Sequence, residues 1–194
     1  MKKEEDVIYF ITRNNHKFNE LKKLFENENL PYQLKQLKLE TIEIQTELVR
    51  KNAIFKLNSV KSKVNCSCFI EDAGFFVDDP LNGFPGVYSS YIFKTIGNEG
   101  ILRLINNFKH SKAHFIAIFA LFFKPLNKVF LFEGRVEGRV SERIQGFGGF
   151  GFDPIFIPNE IPNKTFAELT MEEKNEISHR GKAWREMIKF FKEN

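Results

Sequence analysis

Five consecutive apolar residues, Val7-Ile8-Tyr9-Phe10-Ile11, stop at Thr12-Arg13-Asn14-Asn15, and after Lys17 the apolar spacing changes to Phe18, Leu21, Leu24 and Phe25. A short unbroken run rich in β-branched and aromatic residues predicts a strand covered on both faces. The three- and four-residue spacing that follows predicts a helix, with Lys22, Lys23 and Glu26 turned away from its apolar face. A strand leading through a polar turn into a helix is the unit of an α/β chain. Taken by position alone, the turn is first of all a helix cap, with Asn14 or Asn15 as the capping residue. It also points unsatisfied N–H groups and the positive end of the helix dipole at any bound anion, with Lys17 as an added cation.

Further along, Tyr32 to Leu39 alternates weakly and predicts a second strand, running into Glu40 to Gln45. Val49, Ala53, Leu57, Val60 and Val64 recur at helical spacing, which predicts a helix of about four turns. Lys56 lies off that stripe and reads as a solvated lysine. Cys68-Phe69-Ile70 predicts a buried strand ending at Glu71-Asp72-Ala73-Gly74, with Phe75-Phe76-Val77 continuing the sheet. Paired carboxylates at a strand end suit a hard divalent cation, although adjacent strand residues face opposite ways, so only one of the two can face a given cleft. Asp78 to Gly86 is dense in turn residues, and Ile101, Leu102 and Ile105 mark a short helix. His114 to Phe123 and Lys128 to Val136 predict a hairpin turning at Lys124-Pro125-Leu126-Asn127, with Gly134 and Gly138 predicting a bulge or bend. Ala183, Trp184, Met187, Ile188 and Phe191 form one face of a final helix, with His179 and Arg180 at or just before its start.

Composition narrows the classes. The 194 residues allow one sizeable core, and no linker divides them, so a single domain spanning residues 1–194 is expected. A net charge of +4 is too mild to argue for a dedicated nucleic-acid partner. Met1 to Asp6 is charged, so no signal peptide is expected, and the longest apolar run, Phe115 to Phe123, is too short for a membrane helix. Cys66 and Cys68 are one residue apart, poor geometry for a disulfide and too few ligands for zinc, so free thiols in a cytosolic protein are expected. Phenylalanine stands out at 23 residues; the cluster Phe115, Phe119, Phe122, Phe123, Phe130 and Phe132 is assigned to the core or a subunit interface.

The stretch Gly148-Gly149-Phe150-Gly151-Phe152-Asp153-Pro154 combines flexible glycines with aromatic rings, and a helical segment carrying Lys174, His179 and Arg180 follows it. A flat, polar, negatively charged ligand such as a nucleotide fits that combination. Together with Thr12 to Lys17, Glu43-Ile44-Gln45, Glu71 to Gly74, Gly83 to Tyr88, Thr165 to Glu168 and Glu172 to Arg180, this ordered set resembles the inosine triphosphate pyrophosphatases, or Ham1-like family. The resemblance runs from Val7 to the final helix. Arg13 stands where that family usually has glycine, and Ala73 where serine or threonine is common.

The resemblance implies an elongated mixed α/β sheet flanked by helices, two lobes with the active site in a central cleft, a homodimer, and Mg²⁺-dependent hydrolysis of ITP, dITP or XTP to the monophosphate and pyrophosphate. By the same likeness Thr12, Asn14 and Lys17 are the triphosphate cradle, Glu43 and Asp72 the metal ligands, Asp72 also the base or orienter for water, and Lys56 a supporting cation. Phe150 resembles the base-stacking residue within a substrate loop that includes Gly151, Phe152 and Asp153, and Lys174, His179 and Arg180 resemble its base readers. No membrane or stable nucleic-acid partner is expected. Two alternatives stand beside this expectation: a non-catalytic nucleotide or RNA sensor, and a pyrophosphatase for other modified nucleotides.

Overall fold

In the computed structural model, which describes residues 7–106 and 111–194, the first apolar run is strand β1 (Val7–Ile11) and the segment after it helix α1 (Asn15–Glu26); the charged Met1–Asp6 segment lies outside the described residues. Asn14 is the cap, its side-chain carbonyl accepting from the Lys17 N–H at 3.2 Å. The chain continues through β2 (Gln33–Leu37), α2 (Val49–Asn58), β3 (Ser67–Val77), β4 (Phe84–Gly86), α3 (Ser89–Thr95), α4 (Gly97–Ile105), β5 (Lys112–Phe123), β6 (Lys128–Val140), β7 (Phe156–Pro158), α5 (Met171–Ile177) and α6 (His179–Glu193). The sheet order is β2-β1-β3-β5-β6-β7, with β4 paired to β3. Strand β1 pairs in parallel with both β2 and β3, while β4 and β7 pair antiparallel with β3 and β6, so the sheet is mixed.

Two compact units divide the chain. The first takes Met1–Asp72, Ile118–Glu133 and Ala183–Asn194. Its core is aromatic: Phe10 stacks on Phe69 at 4.7 Å, Phe119 meets both rings edge-on, and Trp184 meets Phe119 edge-on. Each such pair adds about 0.5–1.5 kcal/mol beyond the area buried. The second unit takes Ala73–Ala117 and Gly134–Lys182. Phe75, Phe115, Phe152, Phe156 and Phe166 form its centre with Val77, Ile101, Val136 and Ile155. Phe115, Phe119 and Phe123 are buried in the core, whereas the partly buried Phe130 and Phe132 pack on Phe190.

Several elements depart from the sequence reading. The helix expected over four turns ends at Asn58 and is followed by a 3-10 turn at Lys61–Lys63; Val60 and Val64 are still buried. Strand β3 does not stop at Glu71-Asp72 but runs unbroken from Ser67 to Val77, so the two carboxylates are mid-strand residues. Strand β6 likewise passes straight through Gly134 and Gly138. Gly138 marks a close approach instead of a bend, since a Cβ there would lie 2.2 Å from the Ile157 carbonyl oxygen of β7. Arg13 needs no glycine-like backbone, because the non-glycine residues with positive φ among those described are Asn82 and Asn127. Both cysteines are buried free thiols. Among the described residues, no helix is long and apolar enough to cross a membrane.

Candidate active site

The turn between β1 and α1 is held on three sides. Thr12 donates its N–H to the Leu37 carbonyl of β2 at 3.1 Å, its hydroxyl oxygen accepts from the Asn14 N–H at 3.1 Å, and Gln36 donates to the Thr12 carbonyl at 3.1 Å and to Asn15 at 3.3 Å. No acidic residue lies in the first turn of α1. The positive end of the helix dipole is therefore not offset by its own side chains, the condition that suits an anion. Lys17 lies 3.7 Å from the buried Glu71 carboxylate.

Asp72, the next residue of β3, engages a different helix. Its Oδ2 accepts from Asn52 Nδ2 at 3.0 Å and its Oδ1 lies 3.0 Å from Lys56 Nζ. The same ammonium holds Glu43 Oε1 at 2.7 Å. Asn52 and Lys56 are four residues apart on α2, so they share one helix face and reach Asp72 together. The irregular segment carrying Glu43 is tied to that helix by two backbone N–H groups, Ile44 to Asn52 Oδ1 at 3.1 Å and Ile42 to Ser59 Oγ at 3.1 Å. Burial lowers the Lys56 pKa, but the Asp72 and Glu43 charges and hydrogen bonds more than offset it, so the net displacement is upward and the ammonium is held. Far from being the solvated lysine that its place on α2 suggested, Lys56 has a side chain only 14% exposed. Two carboxylates from separate segments gathered on one ammonium are hard oxygen donors aimed at a common cationic point, a donor set that fits a divalent ion such as Mg²⁺.

The second unit contains the glycine-rich loop. Gly149 and Gly151 have φ of +68° and +65°. A Cβ at Gly149 would lie 2.2 Å from Asp153 Oδ2, so glycine is needed there for space as well as conformation. Asp153 is buried and receives the Phe150 N–H at 2.7 Å and Lys174 Nζ at 2.8 Å. The half-buried Phe150 ring has two cations beside it, Lys174 Nζ at 5.2 Å and Arg180 Cζ at 5.3 Å from its centroid. Capping boxes at Thr165/Glu168 and Thr170/Glu173 fix the segment leading into α5, and the Gly148 N–H bonds to the Ala167 carbonyl at 2.9 Å. His179 is buried, its ring stacked on Phe115 at 4.7 Å.

The Ham1 family profile matches residues 8–190, nearly all of this sequence. The chain belongs to the Ham1 family. It is 45% identical over 187 residues to a dITP/XTP pyrophosphatase of Thermococcus kodakarensis, covering 96% of this chain and 98% of the relative. Among solved structures, that of the Staphylococcus aureus Ham1 protein superposes with a TM-score of 0.81 at 28% identity, covering 96% of this chain and 98% of the other. A Mycobacterium abscessus nucleoside-triphosphatase / dITP/XTP pyrophosphatase superposes at 0.71 with 30% identity over 93% and 97% of the two chains. The mixed α/β architecture expected from the resemblance is thus the family's.

Within the first unit the structure brings Glu43, Lys56 and Asp72 together, and sets Thr12, Asn14 and Lys17 along one turn and helix start. Within the second it brings Phe150, Asp153, Lys174 and Arg180 together. Gly151 supplies a carbonyl to Asn98 at 3.2 Å. Phe152 is core, its ring stacked on Phe75 at 4.9 Å and edge-on to Phe93. Asn52 was missed in the sequence. The signal available was its place one helical turn before Lys56, legible only once that lysine is known to face inward.

Proposed function

We propose that this chain hydrolyses the deaminated purine nucleoside triphosphates dITP, XTP and ITP to the monophosphate and pyrophosphate, acting as one catalytic domain that clears them from nucleotide pools. One observation carries the reading. Asp72, Lys56, Glu43 and Asn52 form a bonded cluster in a chain 45% identical, along nearly its whole length, to a relative named a dITP/XTP pyrophosphatase. Glu43 and Asp72 would hold Mg²⁺, which when bound offsets phosphate charge and acidifies water. Asp72 would orient the attacking water and take its proton, with Lys56 and Asn52 fixing the carboxylate. Lys17 and the first N–H groups of α1, with Thr12 and Asn14 shaping the turn, would stabilise the negative charge growing on the departing pyrophosphate.

Phe150 would offer its ring to the purine, positioned through its N–H by Asp153 across the Gly149–Gly151 turn. Lys174, His179 and Arg180 would read the 6-oxo group of hypoxanthine and xanthine; adenine presents an amino donor there, leaving those donors unmatched. Phe152 contributes by locking the loop into the core. The cytoplasm is the compartment that suits this work. A homodimer is also inferred, supported by exposed apolar residues on and beside α3: Tyr88, Tyr91, Phe93 and Ile96. Light scattering on the purified chain tests that point.

The decisive assay measures pyrophosphate release from dITP, XTP, ITP, GTP and ATP with Mg²⁺. Efficient turnover of the first three is expected. Comparable turnover of ATP, or orthophosphate as the first product, would reject the reading. Asp72→Asn is expected to abolish turnover with the circular dichroism spectrum unchanged.

A further inference from the structure

A group of side chains in the second unit lies outside everything assigned above. Asp78 follows the last residue of β3, His114 lies on β5 and Glu137 on β6, so three separate chain segments converge. One donor atom from each, an imidazole nitrogen and two carboxylate oxygens, falls within 4.8 Å of the other two. His114 is buried, and its ring lies flat on Phe76 at 4.7 Å and 1°, which fixes the direction of its nitrogens. Its Nδ1 is 2.9 Å from Asp78 Oδ2. Neighbouring ligands on an ion with bonds of about 2.0–2.1 Å stand roughly 3 Å apart, so this pair already has the spacing of two ligands. Glu137 is exposed and can move the remaining distance.

We propose that Asp78, His114 and Glu137 bind a divalent first-row metal ion of the zinc or manganese class. The donor set selects that class: one borderline imidazole beside two hard carboxylates suits Zn²⁺ or Mn²⁺, whereas Mg²⁺ takes oxygens alone. Glu137 is paired with Arg135, whose guanidinium contacts its carboxylate. That pair is about half exposed, so it is weak and readily exchanged for a metal. None of the three ligands has a place in the proposed hydrolysis. The ion would act as a clamp. The Asp78 N–H already bonds to the Lys112 carbonyl at 2.8 Å and its carbonyl receives the Asn82 N–H at 3.0 Å. A metal there would fasten the Asp78–Gly83 turn to β5 and β6.

Chelator-stripped protein titrated calorimetrically with Zn²⁺, and separately with Mn²⁺, provides the test, with Asp78→Asn, His114→Gln and Glu137→Gln run beside it. Asp78→Asn retains a side-chain oxygen for His114, which guards against loss of the fold, and circular dichroism monitors all three. Besides any ion taken by Glu43 and Asp72, one equivalent is expected to bind the parent chain, and Glu43→Gln should retain it. Each ligand variant should lose at least about tenfold in affinity. Its unfolding temperature should no longer rise with added metal, while Mg²⁺-dependent turnover of dITP stays unchanged. Identical isotherms for the parent and all three variants, or no binding of either ion by the parent, would overturn the proposal.

Discussion

Asn52→Ala separates positioning from mere packing at Asp72. The change removes two hydrogen bonds from a buried amide, one given to Asp72 Oδ2 at 3.0 Å and one accepted from Ile44 N–H at 3.1 Å. A bond to a charged carboxylate contributes about 1.5–3 kcal/mol and a neutral one about 0.5–1.5 kcal/mol, so a stability loss of roughly 2–4.5 kcal/mol is expected. A domain with about 5–15 kcal/mol of stability stays folded through that. Catalysis should suffer more specifically. Lys56 still holds Asp72 Oδ1, but Oδ2 loses its donor and the carboxylate can turn; a misplacement near 1 Å costs about 100-fold, so kcat should fall about 10- to 100-fold. KM should move less, because the side-chain hydrogen bonds of Asn52 go to Asp72 and Ile44. Asn52→Asp sharpens the test. It keeps an acceptor for Ile44 but sets a second carboxylate about 3 Å from the first, a repulsion of about 5 kcal/mol at an effective dielectric constant of 20. It should therefore be less stable than Asn52→Ala near neutral pH, the gap narrowing as the pH falls and one carboxyl takes a proton. Denaturant unfolding and pyrophosphate release read both effects. An Asn52→Ala protein with unchanged kcat and stability within about 0.5 kcal/mol of the parent would refute the reasoning.

Burial, with the neighbouring Cys66 adding to it and Lys61 opposing, pushes the Cys68 thiol from its ordinary value of 9.0 up to about 12. The unfolded thiol ionises first, so its contribution to stability is intact below pH 9 and is lost as the pH rises towards 12; unfolding at stepped pH should show that slope, and Cys68→Val should remove it. Alanine normally stabilises a helix over glycine by about 1 kcal/mol. At Gly181 the added Cβ would lie 1.8 Å from the Asn175 carbonyl oxygen, so Gly181→Ala should lower the unfolding temperature, and a rise would contradict the packing described. Stacking on an aromatic ring contributes about 1–3 kcal/mol per base, so Phe150→Ala should raise KM for dITP by about 5- to 150-fold while Phe150→Tyr does not. An unchanged KM in the alanine variant would remove Phe150 from base binding.

Much of the architecture was legible because its signals are local. Val7–Ile11 announced a two-face strand, Asn14 or Asn15 a helix cap, and the spacing from Ala183 to Phe191 an amphipathic helix; all three stand in the structure, with Asn14 taking the cap. The failures share a cause. Glu71-Asp72 seemed to end a strand because two charges interrupt an apolar run, yet β3 continues, since Lys17 and Lys56 come from α1 and α2 to meet those charges. Lys56 seemed solvated because helical periodicity sorts residues by one apolar stripe, and it cannot show that a polar partner waits on the other side. Gly138 seemed to mark a bend because the approach of Ile157 arises from strand pairing, which leaves no mark on adjacent residues.

The sequence alone determined the residue types and their order: a βα start with a capped, anion-ready turn, carboxylates at Glu43, Glu71 and Asp72, an aromatic glycine loop, and cations after it. Only the tertiary structure decided which of these meet. It directed Glu71 to Lys17 and Asp72 to Asn52 and Lys56, took Phe152 into the core while leaving Phe150 half-buried beside two cations, and gathered Asp78, His114 and Glu137 from three segments. The reason is physical. Periodicity and turn chemistry act within a few residues, whereas a carboxylate's chemistry depends on which donors desolvate and hold it, and those donors arrive by packing from far along the chain.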